Sequence, residues 1–397
     1  MPSTTAQEPG LLAAAQALAA GVVDDRRAIH QHPELMYQEQ RTAALVAGRL
    51  RDLGLEVRTG VAGTGVVGVL RGSGSGKTVL LRADMDALPI QERNDLPFAS
   101  EHPGLMHACG HDAHTAMLLG VARLLAERRD QFAGAVKFMF QPAEEGGAGA
   151  MRMIDDGLLD DPAVDGAFAL HVSPAHKTGQ VAVTAGPRNA SADEFTITIR
   201  GKGGHAARPE ATVDTIVVAA HLTTMLQTLV SRETAASDQA VVTVGSFVAG
   251  AAHNVIPDRV VMKGTVRTYR RRVQRHLERR IAELAHGVAS AMRATADVEY
   301  HTLYPPVVNH EAEAHLVEHT IRALLGPDAY VKDTARMASE DFSFVLQRVP
   351  GAMFSLGVRH PDWERPRSVH TPDFDLDEAA LPIGVAVMAG AALRFLA

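Results

Sequence analysis

The chain of 397 residues has a single cysteine, Cys109, so no internal disulfide framework exists and nothing asks for an oxidising compartment. It has no surplus of positive charge. Its 39 Lys and Arg against 46 Asp and Glu leave −7, and no basic stripe runs through any segment, which argues against nucleic acid as a partner. The densest basic run, Tyr269 to Arg275, opens an amphipathic pattern and reads as a solvated helix face. No lysine or arginine precedes the apolar patch Leu11 to Val23, which is too short to span a bilayer. Neither a signal peptide nor a membrane partner is expected, and a cytoplasmic location is the default. Internal repeats and low-complexity tracts are missing too. What remains is an ordinary globular composition, 46% apolar and 21% charged, long enough for two or three domains. Its 19 histidines are many, and they direct attention to metal chemistry.

The stretch Met106-His107-Ala108-Cys109-Gly110-His111-Asp112-Ala113-His114-Thr115 concentrates three histidines, the cysteine and an aspartate. Thiolate, imidazole and carboxylate are the ligand set of zinc and its transition-metal neighbours; Cys109 and His111, two apart, suit a ligand pair on a loop or strand end. Alone, the stretch reads equally as a His-rich surface loop around one buried cysteine. Three apolar strand patterns, Thr78–Arg82, Gly134–Phe140 and Gly166–Leu170, lead into Asp84-Met85-Asp86, Gln141-Pro142-Ala143-Glu144-Glu145 and His171. Open α/β sheets place their ligands at the carboxyl ends of central strands. Adjacent carboxylates such as Glu144 and Glu145 are costly to hold together unless a cation or a proton separates them. The three strand ends and the cysteine cluster therefore point to one sheet edge. His30 and His32 end a helix pattern over residues 11–30 with no thiol or carboxylate at matched spacing, and read as structural. His114, at the start of a helix pattern over 115–128, reads as a supporting residue rather than a ligand.

Two glycine-rich stretches imitate nucleotide sites. Gly63-Thr64-Gly65-Val66-Val67-Gly68 fits a dinucleotide fingerprint, and Gly72-Ser73-Gly74-Ser75-Gly76-Lys77 approaches a P-loop, but both lead into strand patterns. Without a helix N-terminus there is nothing to receive a phosphate, so both read as hairpin glycines. From Ser191 the texture changes to strands over 194–200, 240–248, 259–268 and 297–302 with helices over 212–230 and 273–292. That β-α-β-β-α-β order is ferredoxin-like. It predicts an inserted domain over 189–303 within a discontinuous domain of 1–188 and 304–397. Beyond it, Ser339 to Ser343 is expected to open a helix, Met353–Leu356 to form a strand, and a small-residue helix to begin near Glu378.

Seven motifs in order carry a resemblance: Asp84 to Pro89, His107 to His114, Gln141 to Glu145, Gly203-Gly204-His205-Ala206, His253 to Asp258, Ser339 to Phe342, and His370-Thr371-Pro372. Together they resemble the hippurate hydrolase and indole-acetyl-amino-acid hydrolase branch of the aminoacylase and glutamate-carboxypeptidase metallopeptidases, from about His30 to the end of the chain. The resemblance implies an α/β fold: a zinc-peptidase-like catalytic domain with a mixed central sheet flanked by helices, plus an inserted ferredoxin-like α+β lid. The lid would form a homodimer or higher homo-oligomer. It also implies two divalent metal ions per subunit, zinc or manganese with cobalt as a further option, held by Cys109, His111, Glu145, His171 and His370.

In the same resemblance Glu144 is the general base and Asp86 orients the ligands. His205 is the oxyanion donor across a subunit boundary, while Asn254 and Arg267 hold the substrate's free carboxylate, arginine by its bidentate fork. Wider relatives carry His-x-Asp where this chain has Asp84-Met85-Asp86. One histidine ligand is thus missing, Cys109 looks like its replacement, and contact between Asp84 and a metal stays open. The activity implied is hydrolysis of the amide of a small-molecule N-acyl amino acid. A dipeptidase or carboxypeptidase of the same fold is the alternative, although no anchor for a free substrate amine is apparent. A non-catalytic metal-binding relative would show a broken ligand set or a lost base, and neither is seen.

Overall fold

Val79 to Ala83 is apolar apart from Arg82, and in the computed structural model, which describes residues 10–397, it lies at the centre of a large sheet. The first nine residues of the expected catalytic range fall outside the described residues. The chain divides into two compact units, one of Met1–Gly186, Val308–Thr334 and Phe344–Ala397, the other of Pro187–Val307 and Ala335–Ser343.

In the larger unit the strands are β1 (Glu56–Val61), β2 (Gly65–Arg71), β3 (Thr78–Asp84), β4 (Ala135–Gln141), β5 (Gly166–Lys177) and β6 (Val181–Val183), followed by Tyr330–Lys332 and Gly351–Arg359. They form an eight-stranded mixed sheet in the order β1, β2, β4, β3, β5, Gly351–Arg359, β6, Tyr330–Lys332. β3 runs parallel to both β4 and β5, with Asp84 opposite Gln141 and Arg82 opposite Ala169. It follows from that register that Asp84, Gln141 and His171 stand level at one edge. β3 and β4 are buried along their whole length, as strands covered on both faces must be.

The first helices are α1 (Leu11–Ala17), α2 (Ala19–His30), α3 (Gln40–Asp52) and α4 (His111–Ala126); α3, α4 and Leu381–Leu396 pack on this sheet, and α2 lies against α4 and Leu381–Leu396. The segment Glu378–Leu396 is long and apolar enough to cross a membrane, yet most of it is buried inside this unit as a core helix. The helix pattern over 11–30 is two helices, Leu11–Ala17 and α2, meeting at Leu18. The helix expected to open at Ser339 is a single turn, Ser343–Leu346. Neither glycine stretch opens a helix: residues 62–64 turn β1 into its antiparallel partner β2, which itself holds Gly65 to Gly68, whereas residues 72–77 form no hairpin, because β4 stands between β2 and β3.

In the second unit, four antiparallel strands stand in the order Ala240–Ala249, Arg259–Thr268, Ala192–Arg200, Thr295–Tyr304. Phe195, Ile197 and Ile199 alternate onto the buried face, where the helices Thr215–Ser231 and Arg271–Ala291 cover them. Asp214 caps the first of these helices by accepting the Ile216 and Val217 N–H groups. The unit also takes in Ala335–Ser343, a segment inside the expected 304–397 range. Backbone bonds hold it there, from Arg336 N–H to the Arg188 carbonyl and from Ala190 N–H to the carbonyls of Arg336 and Ala338.

Candidate metal centre

The cysteine cluster runs from a loop into a helix, with Cys109 on the turn before Gly110 and His111 in the helix. α4 starts at His111, four residues earlier than the hydrophobic periodicity places it, and Gly110 forms its N-cap in the left-handed region at φ 83°. A Cβ at Gly110 would lie 2.5 Å from Val172 Cγ2, so only glycine permits both that conformation and that approach to β5. Cys109 and His111 are thereby pressed against the strand that carries His171.

His111 is buried, and its Nδ1–H faces the Asp86 carbonyl oxygen at 2.8 Å and Asp86 Oδ1 at 3.2 Å. That fixes the tautomer and leaves Nε2 as the lone-pair nitrogen. Nε2 makes no hydrogen bond among the described residues; Asp84 Oδ2 lies 3.5 Å away. His171 is arranged alike, with Nδ1 donating to the Val172 carbonyl at 2.7 Å and Nε2 3.4 Å from Cys109 Sγ. His114 differs. Its Nδ1 donates to Asp84 Oδ1 at 2.6 Å and its Nε2 accepts the Val172 N–H at 2.9 Å, so neither nitrogen is left for a metal. Asp84 is engaged as well, since Oδ2 lies 2.7 Å from Arg82 Nη1. Burial alone would raise this carboxyl, but Arg82, His111 and His114 hold it well below the usual carboxylate range.

On the β4 side, Asp86 Oδ2 accepts the Glu145 N–H at 2.9 Å. Glu145 Oε1 stands 3.0 Å from Nε2 of the exposed His370, whose pKa rises through that contact. The His370 backbone adopts φ 62°, and its N–H donates to the Ala108 carbonyl at 2.7 Å, tying this turn to the cysteine loop. Glu144 is buried.

The donor atoms of Cys109, His111 and His171 lie within 4.8 Å of one another, as do those of Cys109, Glu145 and His370, and of His111, Glu144 and Glu145. Cys109 belongs to two of these three groups. Burial pushes its thiol well above the ordinary range and drives the His171 imidazole well below its own. A neutral imidazole is ready to bind a cation, and a buried thiol ionises once a cation takes the place of its proton. The donor set, its fixed tautomers and the unpartnered Nε2 of His111 fit a pair of divalent ions.

The three remaining candidates lie in the second unit. His205 pairs in register with Val255 and is exposed, its Nδ1 accepting the Ala207 N–H at 3.1 Å. Ala206 N–H donates to the Asn254 carbonyl at 3.1 Å, so His205 and Asn254 are neighbours. Arg267 is tied to its own strand through Nη1, which donates to Thr265 Oγ1 at 2.5 Å and to the Val266 carbonyl at 3.0 Å.

Sequence reasoning missed Arg26 and Glu39 as buried supports of this centre, while His30 takes the structural role read for it. Arg26 and His30 of α2 both reach Asp112 Oδ2, at 3.0 and 2.8 Å, and His30 Nε2 meets Glu92 at 3.1 Å. Glu39 bonds the backbone of Ala143 beside the paired glutamates. No local pattern marks either residue, because their partners are distant in the chain.

The sequence matches peptidase family M20/M25/M40 over residues 80–394. It is 42% identical to the IAA-amino acid hydrolase ILR1-like 4 of Arabidopsis thaliana, covering 94% of this chain and 86% of that protein. It is 41% identical to the N-acetyl-L-cysteine deacetylase of Bacillus subtilis, covering 90% and 83%. Among solved structures, a dinuclear metal binding peptidase of the M20 family from Bacillus subtilis superposes with a TM-score of 0.84 at 34% identity, covering 96% of this chain and 99% of that one. The chain belongs to peptidase family M20/M25/M40, and with it to the metal-dependent hydrolases of amide bonds.

Proposed function

We propose that this protein hydrolyses the amide of N-acyl amino acids, releasing a carboxylate and a free amino acid. Cys109, His111 and His171 would hold one divalent ion, and Cys109, Glu145 and His370 a second, with Cys109 shared between them. When bound, such ions make water acidic enough to ionise near neutral pH and polarise the amide carbonyl. Glu144 has a different task from its neighbour. Glu145 is spent as a ligand, so Glu144 takes the proton from the attacking water and returns it to the departing amine. Asp86 keeps the lone pair of His111 Nε2 turned toward the ions and holds the Glu145 backbone.

His205 would donate to the developing oxyanion, and Asn254 and Arg267 would grip the free carboxylate of the amino acid. The inserted unit would pair two subunits into a homodimer, and the soft thiolate favours zinc over manganese or cobalt. The observation that carries the reading is the buried glutamate beside a cluster of donors that share one thiol.

The test uses the full chain, stripped with a chelator and reloaded with zinc, manganese or cobalt, against a panel of N-acyl amino acids and dipeptides. Turnover of the acylated substrates should return with metal, and Glu144→Gln should lower kcat by about 10²–10⁴-fold while both ions remain bound. Normal turnover by that variant sinks the base assignment. Dipeptides turned over in preference to acylated substrates would move the chain to the peptidases.

A further inference from the structure

Ala143, between Pro142 and Glu144, sits in the left-handed region at φ 53°, which L residues rarely adopt without external support. The support comes from far away in sequence. The Glu39 carboxylate is completely buried and accepts three hydrogen bonds: from Ala143 N–H at 2.9 Å, Tyr37 N–H at 3.0 Å and Thr64 Oγ1 at 2.5 Å. A buried anion persists only when so satisfied. Two residues on, the Glu145 N–H is accepted by Asp86 at 2.9 Å. Glu144 therefore lies between two backbone N–H groups, each pinned by its own buried carboxylate. Tyr37 adds a tether, its hydroxyl donating to the Gly147 carbonyl at 2.5 Å. A Cβ at Gly147 would meet Ala143 Cβ at 2.6 Å, so the turn closes tightly on itself.

Asp86 faces His111 as well as the backbone, whereas the Glu39 carboxylate accepts from the Tyr37 and Ala143 N–H groups and the Thr64 hydroxyl, none of which belongs to a donor group. We infer that Glu39 is a positioning residue for the hydrolysis, fixing the backbone at Ala143 so that the Glu144 carboxylate is aimed at the attacking water. The inference rests on the reading of Glu144 as general base. Misplacing a reacting group by about 1 Å can cost about 10²-fold in rate. Removal of Glu39 should therefore act on kcat and spare both KM and metal content.

Four variants of the metal-loaded full chain test this: Glu39→Ala, Glu39→Gln, Glu144→Gln, and Glu39→Ala combined with Glu144→Gln. Glu39→Ala should lower kcat by about 10–100-fold with KM and two bound ions retained. Glu39→Gln keeps a carbonyl oxygen for the Ala143 N–H and should restore most of that loss. Because Glu39 acts through Glu144, the double variant should be no slower than Glu144→Gln alone. A double variant slower by the full factor of Glu39→Ala, or an unchanged kcat in Glu39→Ala, overturns the inference while leaving the base assignment intact. Normal turnover in Glu144→Gln overturns the base assignment and this inference with it. Should Glu39→Ala fail to fold, Glu39→Asp keeps the charge but draws the acceptor back by one methylene, and is expected to be about tenfold slower; wild-type kcat in that variant overturns the inference equally.

Discussion

Asp86→Ala is the perturbation that separates orientation from ligation at this centre. The side chain is buried and its two oxygens serve different partners: Oδ1 stands 3.2 Å from His111 Nδ1, and Oδ2 accepts the Glu145 N–H at 2.9 Å. Truncation does not free the imidazole, because the Asp86 carbonyl oxygen, closer to Nδ1 at 2.8 Å, keeps the tautomer. The Glu145 N–H, in contrast, loses the acceptor that places it, which costs about 1–3 kcal/mol if no water replaces it. Loss of such an orienting partner typically lowers metal affinity by about 10–100-fold. The surviving carbonyl contact puts the expectation at the lower end, about tenfold or about 1.4 kcal/mol. Competition against a chromophoric chelator measures the affinity, with stoichiometry read by elemental analysis. Wild-type affinity and kcat in Asp86→Ala would refute the orienting role. A loss beyond about 10³-fold would exceed what an orienting partner accounts for and make Asp86 a ligand.

Two further expectations concern the ions and the scaffold beneath them. Cys109→Ala should weaken both ions together, since its sulfur belongs to both donor groups, whereas His171→Ala should weaken one; stoichiometric titration of the two variants distinguishes them, and loss of a single ion in Cys109→Ala contradicts the shared thiolate. Burial lowers the His30 pKa, but Asp112 and Glu92 outweigh it and raise the value to about 9. His30 therefore contributes stability that is fully present below about pH 6.5 and is lost as pH rises through about 9, about 3 kcal/mol in all. The difference in unfolding free energy between wild type and His30→Gln should accordingly be largest near pH 6 and shrink above pH 9; a difference independent of pH across that range counts against a charged His30.

Local sequence revealed which strand ends meet at one edge, because parallel neighbours deliver their carboxyl ends there whatever surrounds them. Asp84, Glu144 with Glu145, and His171 were legible for that reason. The start of α4 was not: His111, Asp112 and His114 have no apolar periodicity, and their places are set by contacts with Asp84, Asp86 and His30. The same contacts decide which acids can bind metal. Asp84 orients His114, Asp86 orients His111 and the Glu145 backbone, Asp112 receives Arg26 and His30, and Glu39 holds Ala143. Each spends its oxygens on an imidazole N–H, a guanidinium or a main-chain N–H. Ligating imidazoles must present a lone pair in a fixed direction, so buried acceptors must secure the opposite nitrogen. A centre built on histidine therefore gathers carboxylates that never touch the ions. Proximity of an acid to a histidine in sequence therefore does not by itself mark a ligand. Asp84, Asp86, Asp112 and Glu39 are engaged in this way, while Glu144 and Glu145 share a donor group with His111.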